Sequence, residues 1–276
     1  MNNKLKYSRQ SKGFELEESK ITSMSIDDSP KESESHTVLD ISLKGYEKTE
    51  GVFSCSIICV ISGGEKREKD FLKELIKNNN IRSLRITFLS KENQGLQPYQ
   101  MQEKWQEIQA DKYFDFGGVR FQLDKIDKVY LLSDVDEFYE QLKNIKEKDN
   151  EVFGQWIISN PCFEIWLYYC YKCAPCIDFE TIILMTEAQR SQAIKSLGNK
   201  IIDGGLNCFY SFENMRVGIE NSISTYAEDE NHIPTLFSTQ MHKMAQVLIQ
   251  TMNNNENEFD NFLKQKREWR DKMKLI

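Results

Sequence analysis

Asp134 and Asp136 are the residues of this chain best placed to do chemistry. They close the apolar run Val129-Tyr130-Leu131-Leu132-Ser133, which reads as a strand, so the Asp-x-Asp stands at a strand end. Two carboxylates on one exposed edge can converge on a hard cation, and Mg²⁺ takes a few oxygen ligands while keeping several waters. Sites for phosphoryl transfer and phosphodiester cleavage are commonly built this way. A second stretch, Ser159-Asn160-Pro161-Cys162-Phe163-Glu164-Ile165-Trp166-Leu167, is another strand end that runs into a helix. Glu164 there faces back toward the strand edge and offers a third carboxylate. Each stretch also has a plainer reading. Acids after a strand can simply favour the N-terminus of the next helix. Asn160 at the N-cap, Pro161 at N1 and Glu164 near N4 make a sound helix start with no function attached.

Gly63-Gly64-Glu65-Lys66-Arg67-Glu68 follows a strand and opens a helix, in outline a phosphate-cradling turn. It lacks the Walker A spacing and its Gly-Lys-Ser/Thr ending, which argues against a nucleotide-hydrolase P-loop. Its four charged residues serve equally as a solvated helix turn. Cys170-x-x-Cys173-x-x-Cys176 has a metal-like spacing, but zinc wants four ligands and no adjacent His or second Cys pair completes the set. The three histidines, His36, His232 and His242, lie far from these motifs in sequence.

The elements that must position the acids alternate. Phe53–Ile61 is a continuous β-branched apolar run, read as a buried strand. A helix from Glu65 to about Asn79 places Phe71, Leu72, Leu75 and Ile76 on one face. Leu84–Leu89, Lys128–Leu132 and Val152–Ile158 are further strands. Helices are expected at Tyr99–Ala110, opened by Pro98, at Glu137–Lys148 and at Pro161–Tyr171. Strand–helix alternation predicts an α/β fold, a parallel sheet of about four strands with helices on its faces. Ligands of such sheets sit at the strand C-terminal ends, where the Gly63-Gly64 turn, Asp134/Asp136 and Asn160/Glu164 all fall. Beyond Cys176 the pattern is helical, near Glu180–Ser196, Phe212–Tyr226, Ser238–Met252 and Glu256–Lys274. The expected organisation is a polar tail over 1–50, an α/β core over 51–176 and a mainly helical extension over 177–276.

Composition bounds the rest. The chain has 276 residues and is only 39% hydrophobic, so not all of it can be core. Residues 1–50 are poor in apolar residues and rich in Ser, Lys and Glu, which predicts disorder. A net charge of −7 does not advertise nucleic-acid binding, so any such contact needs a local patch. Asn261–Ile276 supplies one, with six Lys/Arg against two acids, and it reads equally as a solvated amphipathic helix. A polar N-terminus and no apolar run near the ~20 residues that span a bilayer point to a cytoplasmic protein with no membrane partner. The seven cysteines are then expected as reduced thiols.

These residues resemble the RloB family, bacterial proteins of phage-defence and restriction-associated loci, which looks like a variant of the Toprim fold of topoisomerases, primases and overcoming-lysogenization-defect nucleases. The family pattern is an apolar strand ending in Glu-Gly-x-x-Thr-Glu, a later Asp-x-Asp, then Ser-Asn-Pro-x-Phe-Glu-x-Trp-Leu. Ser159–Leu167 matches the last piece without a break, and Asp134 and Asp136 match the second. Arg216–Ser222 and Asn231–Thr235 match the C-terminal elements loosely, and the resemblance spans about Phe53 to Gln250. Two departures stand out in the first piece: the family's first Glu aligns with Gly63 and its Thr with Arg67, while its second Glu is kept as Glu68. A His common after the Trp-Leu stretch aligns with Cys170. The resemblance implies a metal-dependent nuclease-type effector of anti-phage defence. Asp134 and Asp136 would hold Mg²⁺ (or Mn²⁺), and Glu164 with Glu65 or Glu68 would complete the shell or move the proton. Glu65 could stand in for the absent Glu, since Gly63-Gly64 leaves the turn conformationally free. Implied partners are nucleic acid, DNA or RNA with tRNA among the candidates, and a partner ATPase. Gly63 also supports the alternative of a catalytically degenerate Toprim-like module that binds nucleic acid or a partner and regulates it. A purely structural interaction protein, with the acids splayed apart, is the third reading.

Overall fold

The computed structural model describes residues 55–64, 66–77, 81–91, 95–116, 119–148, 156–173, 175–202, 204–254 and 257–274. The expectation of a polar, disordered tail falls outside them, as does Glu65.

The buried apolar run becomes β1 (Ser56–Ser62), with all seven residues buried. Such a strand must be covered on both faces, and the residues alternate between them. Ile58 and Val60 point to one hydrophobic cluster, Cys59 and Ile61 to the other. The remaining strands of the sheet are β2 (Leu84–Leu89), β5 (Lys128–Asp134) and β6 (Trp156–Ser159). The order is β2-β1-β5-β6, and every neighbour pair is parallel. The expected parallel sheet of about four strands is therefore present.

Register fixes which residues meet at the C-terminal edge. Ser62 of β1 lies opposite Leu132, and Asp134 of β5 lies opposite Ser159 of β6. After β1 the chain turns to one side to form β2, then returns to the other side of β1 to form β5. The gap between the β1 and β5 ends is thus the point where strand order reverses, the place where open α/β sheets bind ligands.

Helix α1 (Arg67–Lys77) covers one face through Phe71, Leu72 and Leu75. On the other face lie α2 (Pro98–Asp111), through Met101 and Ile108, and α3 (Tyr139–Lys148), through Leu142 and Ile145. Tyr113–Phe116 (β3) and Val119–Gln122 (β4) form a separate two-stranded sheet that the hydrophobic pattern does not reveal. Helix α4 (Glu164–Tyr169) is buried along its whole length.

Beyond it come α5 (Pro175–Asp178), α6 (Glu180–Ile183), α7 (Glu187–Ile201), α8 (Cys208–Glu213), α9 (Met215–Ser224), α10 (Met241–Asn253) and α11 (Glu258–Lys274). The single helix expected over Glu180–Ser196 is broken at Leu184, which is 89% exposed and has nothing apolar to cover. Apolar residues of these helices join the cluster over the α1 face of the sheet. Phe71 is a hinge of that cluster. Its ring meets Phe163, Trp166 and Phe212 edge-on at centroid distances of 5.9, 6.0 and 5.7 Å. Phe212 in turn meets Phe259 and Phe262 of α11. Cys55–Phe116 and Arg120–Ile276 together make one compact unit.

The helix start expected at Asn160-Pro161 is displaced. Helix α4 begins at Glu164 with Phe163 at its N-cap, and the Asn160–Pro161 peptide is cis. Asn160 does not cap the helix: its side-chain amide donates to the Pro234 carbonyl at 2.7 Å. A tertiary partner has outcompeted the local one. Cys170 is buried beside Gly218, and Cys173 is exposed. Among the described residues no helix is long and apolar enough to cross a membrane.

Phe71→Ala should cost about 3–5 kcal/mol, since it removes a large ring from a packed junction. Leu184→Ala, at a solvated site, should stay within about 0.5 kcal/mol of wild type. Urea unfolding followed by tryptophan fluorescence measures both, and equal midpoints for the two variants would refute the central role of Phe71.

Candidate functional site

Three elements bring carboxylates to the edge where strand order reverses. Asp134 is the last residue of β5 and is half-buried. Glu68 sits in the first turn of α1 and Glu164 in the first turn of α4; they are only 7% and 3% exposed. Both helices begin where the chain leaves a strand C-terminus, so their first turns lie over the sheet edge. The acids there also meet the positive ends of the helix dipoles.

Their charges act on one another. Burial, which disfavours the charged form, pushes the Glu68 carboxyl up to about 7, with Glu164 adding repulsion and Lys195 and Arg67 opposing. Burial likewise holds Asp134 well above the usual carboxylate range, with Glu68 and Glu164 raising it further and Lys195 lowering it. Asp136 is also raised, first by burial, while Ser191 and Lys195 pull it down. Ser191 Oγ nonetheless has no partner inside ordinary hydrogen-bond length.

Asp134 feels Glu68 and Glu164 more than it feels Asp136. Asp136 has a positive φ of 29° and donates its N–H to the Pro161 carbonyl at 3.1 Å. Its neighbours are on α7: Ser191, Lys195 and Glu187. Lys195 of α7 acts on Asp134 as well as on Asp136.

Two cations serve the group. Arg67 Nε and Lys195 Nζ each stand 3.9 Å from an oxygen of Glu164, one on Oε1 and the other on Oε2. These are ionic contacts longer than charge-assisted hydrogen bonds. Arg67 also donates to the Leu206 carbonyl at 2.6 Å. Burial works against the Lys195 ammonium, but the negative charges of Glu164, Asp134 and Asp136 prevail and keep its pKa above the ordinary lysine value. Lys195 and Ser191 are the site residues that sequence reasoning missed. A lysine in a charged helix some thirty positions past Glu164 carries no local signal of its destination.

The glycine turn works by space rather than by backbone freedom. Neither Gly63 nor Gly64 has a positive φ, contrary to the conformational role expected for them. The Glu68 carboxylate folds back to where a Cβ on residue 64 would stand. A Cβ on residue 63 would come within 3.2 Å of the Leu96 carbonyl, and Gly95, at φ +67°, lies against the Gly63 carbonyl. A loop therefore closes over the position where the family pattern has its first Glu, and Glu68 fills the space beside it.

The donors suit a hard divalent cation. All are carboxylate oxygens, and four acids (Glu68, Asp134, Asp136, Glu164) face two cations (Arg67, Lys195), an excess of negative charge in a poorly solvated edge. Among the described residues no three acids, cysteines or histidines stand together in a way that could hold a metal ion. An ion held by one or two carboxylates with retained waters is the habit of Mg²⁺.

The family model described as RloB-like protein matches residues 58–263, a span that includes every acid and both cations of this edge. No curated protein and no solved structure matches the chain.

The raised carboxyls fix a pH dependence. The unfolded chain releases the Glu68 proton near 4.5, whereas the folded chain keeps it to about 7. Stability therefore falls as pH rises through that window, and the penalty is complete above it; Asp134 adds in the same direction. In chelator, Glu68→Gln should melt above wild type at about pH 8.5 and level with it at about pH 4. Thermal melts at both pH values decide it, and a variant less stable than wild type at the higher pH would mean that the ionised Glu68 is satisfied.

Proposed function

The chain belongs to the RloB-like family, and from that footing we propose that it is a metal-dependent nuclease-type effector acting in anti-phage defence. The observation that carries the reading is the meeting of Glu68, Asp134 and Glu164, from three separate elements, at the edge where strand order reverses. Structural acids are normally paired or solvated, and burying several together costs stability. A site that accepts that cost fits a protein whose acids serve a ligand.

Asp134 would hold a Mg²⁺ or Mn²⁺ ion, with Asp136 reaching it from the α7 side and Glu68 from the α1 side. Bound there, the ion would neutralise charge on a scissile phosphate and make its water more acidic. Glu68 ionises near neutral pH, which suits a group that must both take and release a proton during turnover. Its carboxylate lies against Gly64, the residue after the position where the family's first Glu is missing, so the chain's own replacement is drawn from α1. Arg67, 38% exposed along its side chain, leaves part of its guanidinium for a phosphate oxygen. The substrate is nucleic acid, DNA or RNA with tRNA among the candidates, and a partner ATPase is a further element of the proposal. The alternative of a degenerate binding module has one observation behind it: the loop at Leu96 closes over Gly63 and leaves no room there for a side chain without displacement.

Calorimetry with Mn²⁺ should show binding to the wild type that Asp134→Asn abolishes. Labelled DNA and a total tRNA pool should be cleaved by wild type with Mn²⁺, and Glu68→Gln should lose about 10²–10⁴-fold in rate. Metal binding without cleavage of either substrate, with the partner ATPase present, would favour the degenerate module. Gly64→Ala is a gentler probe, because its Cβ meets only the end of the Glu68 side chain. It should fold normally yet cut much more slowly than wild type, and full activity would remove Glu68 from the reaction.

A further inference from the structure

The basic segment at the end of the chain lies on α11, and its cations divide between two sides of that helix. On one side Arg216, Lys264 and Arg267 stand against Asp260, Glu268 and Asp271, so charge there is balanced among the described residues. Arg216 donates to both carboxylate oxygens of Asp260, at 2.6 and 3.1 Å. The other side turns toward α8. Lys266 Nζ lies 3.6 Å from the centroid of the Phe209 ring, and the Arg270 guanidinium 5.6 Å from that of Tyr210. Glu213 holds Arg270 in place, accepting from it at 2.7 Å. Tyr210 is nonetheless 44% exposed, and Trp269, beside Arg270 in sequence, is 62% exposed.

Phe209 also lines a groove of about 370 Å³ between α1, the end of α7 and the start of α8. Ligand pockets commonly measure about 300–1,000 Å³. Among the described residues that line it, Arg67 and Lys73 stand against one acid, Asp70. Asn199 and Asn207 line it as well. Each uses its side-chain oxygen on the backbone: Asn199 accepts from the Leu206 N–H and Asn207 from the Phe209 N–H, both at 2.9 Å. The amide nitrogens are thereby left as donors for a ligand. Arg67 joins this groove to the acid edge, since its Nε stands 3.9 Å from Glu164. Phe209 joins it to the aromatic side of α8, with Tyr210 edge-on at 5.4 Å. A line of contacts therefore runs from Glu164 through Arg67, the groove and Phe209 to Tyr210 and Arg270.

We propose that single-stranded nucleic acid, RNA or DNA, lies along this line, with phosphates on Arg67 and Lys73 and an unpaired base stacked on Tyr210. The proposal rests on the nucleic-acid reading above and deepens it by naming the strand state. Proteins that hold single strands combine a positively charged groove with rings on which bases stack. A duplex keeps its base faces inside its own stack and offers chiefly its phosphates, yet the balanced side of α11 is no comb of free cations. The groove instead pairs its excess of positive charge with amide donors and leads to an exposed ring.

The test is fluorescence anisotropy of the full chain in chelator, with a labelled strand of about 12 nucleotides made as RNA and as DNA, and the same DNA annealed to its complement. The wild type should bind the RNA or the DNA strand at least about tenfold more tightly than the duplex. Tyr210→Ala should weaken single-strand binding about 5–100-fold with its salt dependence unchanged, and Tyr210→Phe should bind as wild type does. Lys73→Gln should reduce the slope of log affinity against log salt by about 0.7. Both positions are exposed, and near-UV circular dichroism checks that the variants fold. If Tyr210→Ala does not fold, the strand preference and the Lys73→Gln slope decide. A duplex bound as tightly as the strand, no binding of any of the three probes, an unchanged slope in Lys73→Gln, or a folded Tyr210→Ala that binds like wild type overturns the proposal. A wild type that binds the strand but cuts no nucleic acid with Mn²⁺ overturns the nuclease reading and leaves this one standing. A wild type that cuts while Tyr210→Ala binds unimpaired does the reverse.

Discussion

Negative charge gathered at a poorly solvated strand edge is the constraint around which this fold is arranged. Glu164 raises the proton affinity of Glu68 and Asp134, Glu68 raises that of Asp134, and the charges would be better solvated apart. Such a cluster persists only where the surrounding structure leaves its members no alternative. The sheet supplies that rigidity. Both of its faces are covered, β1 is wholly buried, and the parallel register sets Asp134 beside Ser159. Helices α1 and α4 are then locked by the ring junction at Phe71, which holds the first turns bearing Glu68 and Glu164 over the edge.

A second set of contacts pins the chain just past β6. Asn160 is held from three sides: its N–H donates to Ser238, its carbonyl accepts from Phe237, and its side chain donates to Pro234. Gln240 joins the same segment to Ile158, through its backbone N–H and its side-chain oxygen. Tyr169, from the end of α4, donates its hydroxyl to Phe237. The segment 234–240 thus acts as a strap across the β6 end. Its importance for the site is indirect: Pro161 accepts from the Asp136 N–H, so the strap helps place Asp136 as well as Glu164. The match of Asn160-Pro161 to a helix-start signature is a coincidence of residue types. What those residues do here is anchor a loop some seventy positions away.

The resulting edge is electrostatically poised rather than neutral. Two cations among four acids hold the group together without quenching it, and both approach Glu164 at ionic rather than hydrogen-bonding distance. The polar groups that ring the edge come from helices whose apolar residues belong to the core, so site and core cannot be varied independently. Arg67 shows this in one side chain, contacting Glu164 and the Leu206 carbonyl together.

The strands, their parallel order and the helices that cover them were legible in the sequence because they follow from local regularities. Continuous apolar runs must be buried on both faces, and charged helices between them must cover those faces. The strand-end positions of Asp134 and Glu164 were legible for the same reason. Tertiary structure alone decided what surrounds them. Only packing of α7 against the α4 side brings Lys195 and Ser191 to the acids, and nothing periodic in the sequence marks those two residues. Only the tertiary structure shows that Asp136 takes a positive φ and donates its N–H to the Pro161 carbonyl. Only tertiary structure shows what residues 63 and 64 face: a Cβ on 63 would come within 3.2 Å of the Leu96 carbonyl, and the Glu68 carboxylate occupies the place of one on 64. Burial pattern is a property of neighbouring residues along the chain, whereas charge balance at a site belongs to groups that meet across it, and a single strand of text records the first far better than the second.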